Sequence, residues 1–308
     1  MRVGLVGCGR IAERGYVPAF ARAHGVQLAA VVDVEPERCR AVAPGVAAFA
    51  DVGELVASGE VDAVVVAAPV GAHVEVAVEA ADAGLATLVE KPPARSASEA
   101  VQLLELQPAP FVAFNRRFEP GLLSIREQIP SGPVELRLRF HRRGSWGSHG
   151  GEDPLLLDVG PHALDLVRWL ARAEPTRIRA LALAHGASIE VELAEARGTA
   201  SVEIRTNSPF LESVEVLAAG RRVARHRAGG ALAGVLARVT PGTESPLVAS
   251  LAGQLEVFAG DRRGLASAED GVAVMAAVDA ARTSAANAGE WQPIPTVDEC
   301  SRSFSSTR

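Results

Sequence analysis

Two short stretches carry residue types and spacings that could do chemistry. The first is Leu88-Val89-Glu90-Lys91-Pro92-Pro93, whose Lys91 is the only lysine among 31 Lys and Arg residues. Arginine serves as well for solubility or a surface ion pair, but it cannot lose its proton or act as a compact ammonium. One lysine kept among so many arginines points to a position that needs an amine; the alternative is the chance survival of a surface lysine. The second stretch is Gly7-Cys8-Gly9-Arg10-Ile11-Ala12, followed at Asp33 by an acid 24 residues after Gly9. In this G-x-G-x-x-A pattern Gly7 permits a sharp turn and Gly9 lets backbone amides approach a pyrophosphate. Ala12 allows close helix–strand packing, and the helix N-terminus, with Arg10 and Ile11, faces the phosphates. Asp33 is placed to accept hydrogen bonds from both ribose hydroxyls and to repel a 2′-phosphate, which favours NAD over NADP. Arg38 nearby argues the other way.

The elements that must position these groups read as an alternation. The glycine-rich turn lies between an apolar run (residues 2–6) and a helical pattern (11–23), and a second apolar run (26–32) ends at Asp33. Helical patterns follow at 51–57, 73–83 and 96–106, and apolar runs at 61–67, 86–89 and 111–114. Such runs indicate a parallel sheet covered on both faces, an α/β Rossmann domain. Ligands of these sheets bind beyond the carboxyl ends of the strands. Pro69, His73 and Glu90-Lys91-Pro92 follow strand ends and so belong to the cofactor side. The texture changes at Asn115-Arg116-Arg117, which sets a dinucleotide-binding domain over 1–117 and a second domain over 118–308. The second domain reads as α+β: a strand over 134–142, a glycine-rich loop over 144–151, and a helical stretch from Pro161. Five further strands (177–184, 188–193, 200–205, 212–217 and 221–226) and helices at 247–259 and 269–286 complete a large, open, mostly antiparallel sheet with helices on one face. The Ser-rich end, 301–308, is expected to be disordered.

Composition bounds the function. Hydrophobic residues make up 48% and charged residues 22% of the 308, with net charge −6 and no basic block. That describes a globular protein with a sizeable core and argues against nucleic acid as a partner. No stretch reaches the ~18 uninterrupted apolar residues of a membrane span. The apolar strand so close to Met1 leaves no room for a signal peptide. Cys8, Cys39 and Cys300 have neither zinc nor disulfide spacing, which suits a reducing cytoplasm and gives no metal site.

These features together resemble the glucose–fructose oxidoreductase / inositol dehydrogenase (Gfo/Idh/MocA) family over nearly the whole chain. The markers are the glycine loop, Ala68-Pro69 with His73, Glu90-Lys91-Pro92, Asn115-Arg116-Arg117-Phe118, and Asp158-Val159-Gly160-Pro161-His162-Ala163-Leu164-Asp165. The closing stretches 268–284 and 289–291 are similar too. Alanine before Pro69 departs from the commoner threonine, and the second domain is somewhat short. The resemblance implies NAD(P)-dependent oxidation or reduction of sugars and cyclitols, and homodimers or homotetramers formed through the second sheet. Its Lys–Asp–His trio maps onto Lys91, Asp158 and His162.

Hydride transfer from a secondary alcohol needs a base, charge support for the developing alkoxide, and fixed orientation. His162 is the candidate base, since the positive end of a helix keeps an imidazole neutral. Lys91 would support the alkoxide. Asp158 would bind a neighbouring hydroxyl or orient the pair, and Asp165 could steer the imidazole. Each has a plainer reading. Asp158 could cap the helix from Pro161, His162 could be a structural histidine, and His73 could cap its helix instead of neighbouring the cofactor. Trp146 and His149 either shape a substrate pocket or are solvated; Arg137, Arg139 and Arg143 form a solvated face or an oligomer contact. Asn115 and Arg116 are candidate substrate contacts, and Arg116 and Arg117 could grip a substrate phosphate, which would suit a nucleotide-linked sugar. A non-catalytic cofactor-binding sensor is the reading from a different class.

Overall fold

The computed structural model describes residues 1–143, 154–229 and 245–306. Two compact units emerge. One comprises Met1–Glu119, Glu244–Val272 and Ser301–Arg308; the other comprises Pro120–Thr243 and Ala273–Cys300. The first unit thus draws on late sequence that a single boundary near residue 117 does not describe.

In the first unit, six parallel strands form one sheet: β1 (Arg2–Val6), β2 (Gln27–Val32), β3 (Ala47–Phe49), β4 (Ala63–Val66), β5 (Ala86–Glu90) and β6 (Phe111–Ala113). A short antiparallel strand, β13 (Ala266–Ser267), adds to the β6 edge, giving the order β13-β6-β5-β4-β1-β2-β3. Apart from that edge strand, this is the doubly wound dinucleotide-binding order. β4 and β5 are buried at every position, as strands covered on both faces must be, which is why they read as unbroken apolar runs.

The helices are punctuated by local chemistry. The Asp51 side chain caps α3 (Val52–Ser58) by accepting from the Glu54 amide at 2.8 Å, and Gly59 ends it at φ 64°. Ser96 caps α5 (Ala97–Ala100). The single helix expected over 96–106 is instead this short turn continued by a 3₁₀ segment, Val101–Glu105. The helix expected over 11–23 is also shorter. It opens with a π-helical stretch, Ala12–Tyr16, and closes with α1 (Val17–Phe20). α2 (Pro36–Val42) and β3 were not foreseen; α2 is short and mostly exposed and β3 is three residues long and only partly buried, so they leave little periodicity. α4 spans His73–Asp82. One late helix, α9 (Pro246–Ala259), completes the core. Its Leu251, Leu255 and Phe258 are fully buried in one cluster with Val3, Leu5, Val31, Val65 and Leu88.

The second unit holds a seven-stranded sheet in the order β12-β11-β7-β10-β9-β8-β14. Its strands are β7 (Val134–Arg143), β8 (Pro175–Leu183), β9 (Gly186–Leu193), β10 (Gly198–Arg205), β11 (Asn207–Ala218), β12 (Arg221–Gly229) and β14 (Gln292–Pro293). Only the β7–β10 pair is parallel. Alternation decides the two faces: Val134, Leu136, Leu138 and Phe140 of β7 are buried, while Arg137 and Arg139 between them are exposed. The polar face is laced with ion pairs, such as Arg179–Glu190 at 2.7 Å and Arg137–Glu135 at 2.6 Å. The helices α6 (Pro120–Gln128), α7 (Pro154–Asp158) and α8 (Gly160–Ala171) also belong here. α10 (Ala268–Ala286) begins in the first unit and continues in the second.

The expected disorder at the C-terminus is corrected: Val297–Ser305 forms a helix, α11, whose acidic first turn (Asp298, Glu299) suits its N-terminus. Among the described residues, no helix is long and apolar enough to cross a membrane.

Candidate active site

The glycine loop is shaped by two different needs. Gly7 sits at φ 101°, and a Cβ there would fall 2.6–2.7 Å from backbone atoms of Ala67 and Ala68 at the exit of β4. Both facts demand glycine. Gly9 has no heavy atom within 4 Å of where its Cβ would be. Its openness leaves room for a pyrophosphate to approach the backbone. Ala12 is fully buried, so the helix seats closely, while Arg10 is exposed and Ile11 half-buried at the loop's outer side.

Asp33, at the exit of β2, is oriented by backbone. Its Oδ2 accepts from the Cys8 amide at 2.8 Å and its Oδ1 from the Glu35 amide at 2.9 Å. Each oxygen keeps a lone pair for a ribose hydroxyl. Arg38, the residue that favoured a 2′-phosphate, is paired with Glu35 at 2.7 Å. Asp33→Ala is therefore expected to weaken NAD binding and relax discrimination against NADP. The ratio of the two dissociation constants checks this, and an unchanged ratio would remove the ribose contact. Cys8 and Cys39, distant in sequence, meet with sulfurs 3.6 Å apart. Burial first, then Cys39, pushes the Cys8 thiol up to about 12, so no thiolate chemistry operates in the loop at neutral pH.

Lys91 follows β5 directly and is half-buried. Its backbone N–H donates to Glu90 Oε2 at 2.9 Å, and the Tyr16 hydroxyl donates to Glu90 Oε1 at 2.8 Å. Burial pushes the Glu90 carboxyl above the usual carboxylate range; the Lys91 charge and these two hydrogen bonds oppose that rise.

His73 is 2% exposed, with Nδ1 2.9 Å from the Pro92 carbonyl oxygen and Nε2 2.8 Å from that of Ala68. Both partners only accept, so both contacts are hydrogen bonds in the imidazolium form and one of them in the neutral form. His73 ties the exit of β4, where Pro69 opens a 3₁₀ turn, to the residue after Lys91. It makes no side-chain cap for α4, whose N-cap is Ala72. Gly7, Gly9, Asp33, Pro69, His73, Glu90 and Lys91 thus all gather at the carboxyl ends of β1, β2, β4 and β5.

In the second unit, Asp158 ends α7 and is 3% exposed. It does not cap α8, whose N-cap position is Val159; its carboxylate pairs instead with Arg142 near the end of β7. His162 lies half-buried in the first turn of α8, which begins at Gly160, one residue before Pro161, and Asp165 is fully buried one turn on. Arg142 carried no motif and was missed. Tyr16 left one signal: it is the chain's only tyrosine. Trp146 and His149 lie outside the described residues.

The residues nominated for substrate or phosphate contact have intrachain partners. Asn115 is buried and donates to Ser250 Oγ at 2.8 Å; Arg116 pairs with Glu119 and Arg117 with Asp270, each at 3.0 Å. Arg117 is only 7% exposed. Arg117→Met is expected to cost about 2–3 kcal/mol by removing the guanidinium that pairs with Asp270 while leaving NAD affinity unchanged. Urea unfolding and NAD titration separate the two effects.

A Rossmann sheet in this strand order, with an open glycine loop and an acid at the second strand's exit, has the form of a dinucleotide-binding domain. Residues 1–109 match the family described as "Oxidoreductase family, NAD-binding Rossmann fold". That match lies in the first unit and covers about a third of the chain. It is 33% identical over 182 residues to an inositol 2-dehydrogenase of Corynebacterium glutamicum (strain R), covering 56% of this chain and 54% of that protein. It is 32% identical over 191 residues to the rhizopine catabolism protein MocA of Rhizobium meliloti, covering 58% and 59%. The chain thus spans little more than half the length of these relatives. The myo-inositol dehydrogenase from Lactobacillus casei, solved in complex with NAD(H) and myo-inositol, shares the fold (TM-score 0.80, 17% identity, 96% of this chain and 97% of that chain).

Proposed function

We propose that the protein is an NAD-dependent oxidoreductase that transfers a hydride between the nicotinamide and a secondary carbinol of a cyclitol or sugar. The observation that carries this reading is the placement of the chain's single lysine, just beyond β5 on the ligand side of a dinucleotide-binding sheet, between the buried Glu90 and the His73-bound Pro92. The cyclitol activity named for the C. glutamicum relative supports the substrate class.

NAD, held by the Gly7–Ala12 loop and Asp33, supplies the hydride acceptor when bound. Lys91 then acts as an ammonium donor to the carbinol oxygen, stabilising negative charge as it develops. His162 takes the hydroxyl proton as general base, its position in the first turn of α8 disfavouring a resting positive charge. Asp158, neutralised by Arg142, is a poor base; it serves as an acceptor that orients a neighbouring hydroxyl. The open polar face of the second sheet is the reading for self-association, which sedimentation velocity would measure.

The deciding experiment is absorbance of NADH after mixing protein and NAD with free cyclitols, aldoses and nucleotide-linked sugars. Turnover with a free polyol is expected. Turnover only with nucleotide-linked sugars would overturn the substrate class. Silence across the panel, with NAD binding shown by calorimetry, would favour a sensor.

A further inference from the structure

We propose that Tyr16 is a positioning residue for Lys91, acting through the Glu90 carboxylate. The proposal rests on the reading of Lys91 as the site's amine. The helix after the glycine loop is not regular: over Ala12–Tyr16 it is π-helical, with the Val17 amide bonded back to the Ala12 carbonyl. The wider turn inserts a residue and resets which side chains face the sheet, a deviation that recurs at functional sites. Here it delivers Tyr16, the chain's only tyrosine, to a fully buried position with its hydroxyl on Glu90.

A phenylalanine would fill that space equally well, so packing does not explain the hydroxyl. What explains it is Glu90. A buried carboxylate needs donors, and it has two: the Tyr16 hydroxyl on one oxygen and the Lys91 backbone amide on the other. The helix that begins at the phosphate loop is thereby hydrogen-bonded, through one side chain, to the backbone that carries the amine. Remove the hydroxyl and Glu90 is left with one donor. It then takes up a proton at higher pH and gives up the negative charge that interacts with the Lys91 charge.

Few other charges act on this carboxylate. β4 and β6, which flank β5, carry no titratable side chain. From α4, His73 lies between two carbonyl oxygens, and Glu75, Glu79 and Asp82 are exposed. On the loop and helix side, Arg10, Glu13 and Arg14 are exposed. Glu256 of α9, which packs against the π-helical stretch and α1, is paired with His24. Among the described residues, Tyr16 and Lys91 are the groups hydrogen-bonded to the carboxylate.

The chain's single lysine makes the test direct. Reductive methylation with ¹³C-formaldehyde labels Lys91 and the N-terminal amine alone and keeps both charges, so one side-chain resonance reports Lys91 in the full-length protein. In wild type, its shift is expected to show an acid-side inflection as Glu90 ionises. In Tyr16→Phe that inflection is expected to move to higher pH, and in Glu90→Gln to vanish. A Tyr16→Phe titration that superimposes on wild type would overturn the proposal, even if the variant melts earlier, because a purely structural tyrosine would change stability and leave Lys91's titration alone. If Tyr16→Phe does not fold, Glu90→Gln decides: an inflection that persists would overturn the proposal. Neither readout needs turnover. Wild-type activity in a Lys91 variant would defeat the enzymatic reading while leaving the titration result standing.

Discussion

Replacing Lys91 by alanine is expected to lower kcat by about two orders of magnitude or more, equivalent to about 3 kcal/mol of transition-state stabilisation. NAD affinity should stay within a few-fold of wild type. The two effects separate because the groups proposed to hold the dinucleotide, Gly7 to Ala12 and Asp33, are fixed by their own contacts. Gly7 is held against the exit of β4, and Asp33 by the Cys8 and Glu35 amides, none of which involves the lysine side chain. Lys91→Arg is expected to recover little of the loss, since a planar guanidinium keeps the charge but not the compact geometry. Steady-state turnover on the substrate found in the panel, with NAD titration by calorimetry, checks both halves. Wild-type kcat in Lys91→Ala would remove the proposed site.

The second large effect is a contrast between two glycines of one loop. Gly7→Ala is expected to destabilise the protein by about 3 kcal/mol or more, because the new methyl meets β4 backbone atoms that cannot step aside and sits at a φ that L-residues avoid. Gly9→Ala is expected to leave the melting temperature within a degree or two of wild type, since nothing in the protein lies where its methyl would go. Its NAD affinity should nevertheless fall by at least about tenfold, because the proposed site brings the pyrophosphate to the backbone through that open space. Thermal melts and NAD titrations of both variants test the pair. Unimpaired NAD binding by Gly9→Ala would mean that the loop does not cradle the phosphates.

How far the chain could be read from its letters depends on where the burial is. β4 and β5 were legible because every side chain in them is covered, and α3 because Asp51 and Gly59 mark both its ends. α2 and β3 were not, since short elements with few buried residues leave no period to detect. The π-helical stretch was invisible too, because apolar spacing does not distinguish an inserted residue from ordinary drift around a helix. At the site, the glycine loop, Asp33 and Lys91 could be nominated from local pattern. Their partners could not. That Glu90 would find Tyr16, that His73 would bind two carbonyl groups, and that Asp158 would be met by Arg142 instead of capping a helix are all results of tertiary placement. The same holds for Asn115, Arg116 and Arg117, whose polarity suggested ligand contact and whose partners turned out to be Ser250, Glu119 and Asp270.

The late return of the chain to its first unit has a consequence for how the protein is made. Leu251, Leu255 and Phe258 belong to the same core as Val3 and Leu5, yet well over a hundred residues of the second unit are synthesised before them. A ribosome that has released residues 1–119 has delivered a parallel sheet with one of its covering helices still missing. Domains usually mature in the order in which they emerge; here the nucleotide-binding unit must wait for α9 and β13. In the interval the nascent chain exposes apolar surface of the kind chaperones bind. For the same reason, a fragment cut at residue 119 would be a poor stand-alone module, and transplanting this unit into another protein would require carrying α9 with it.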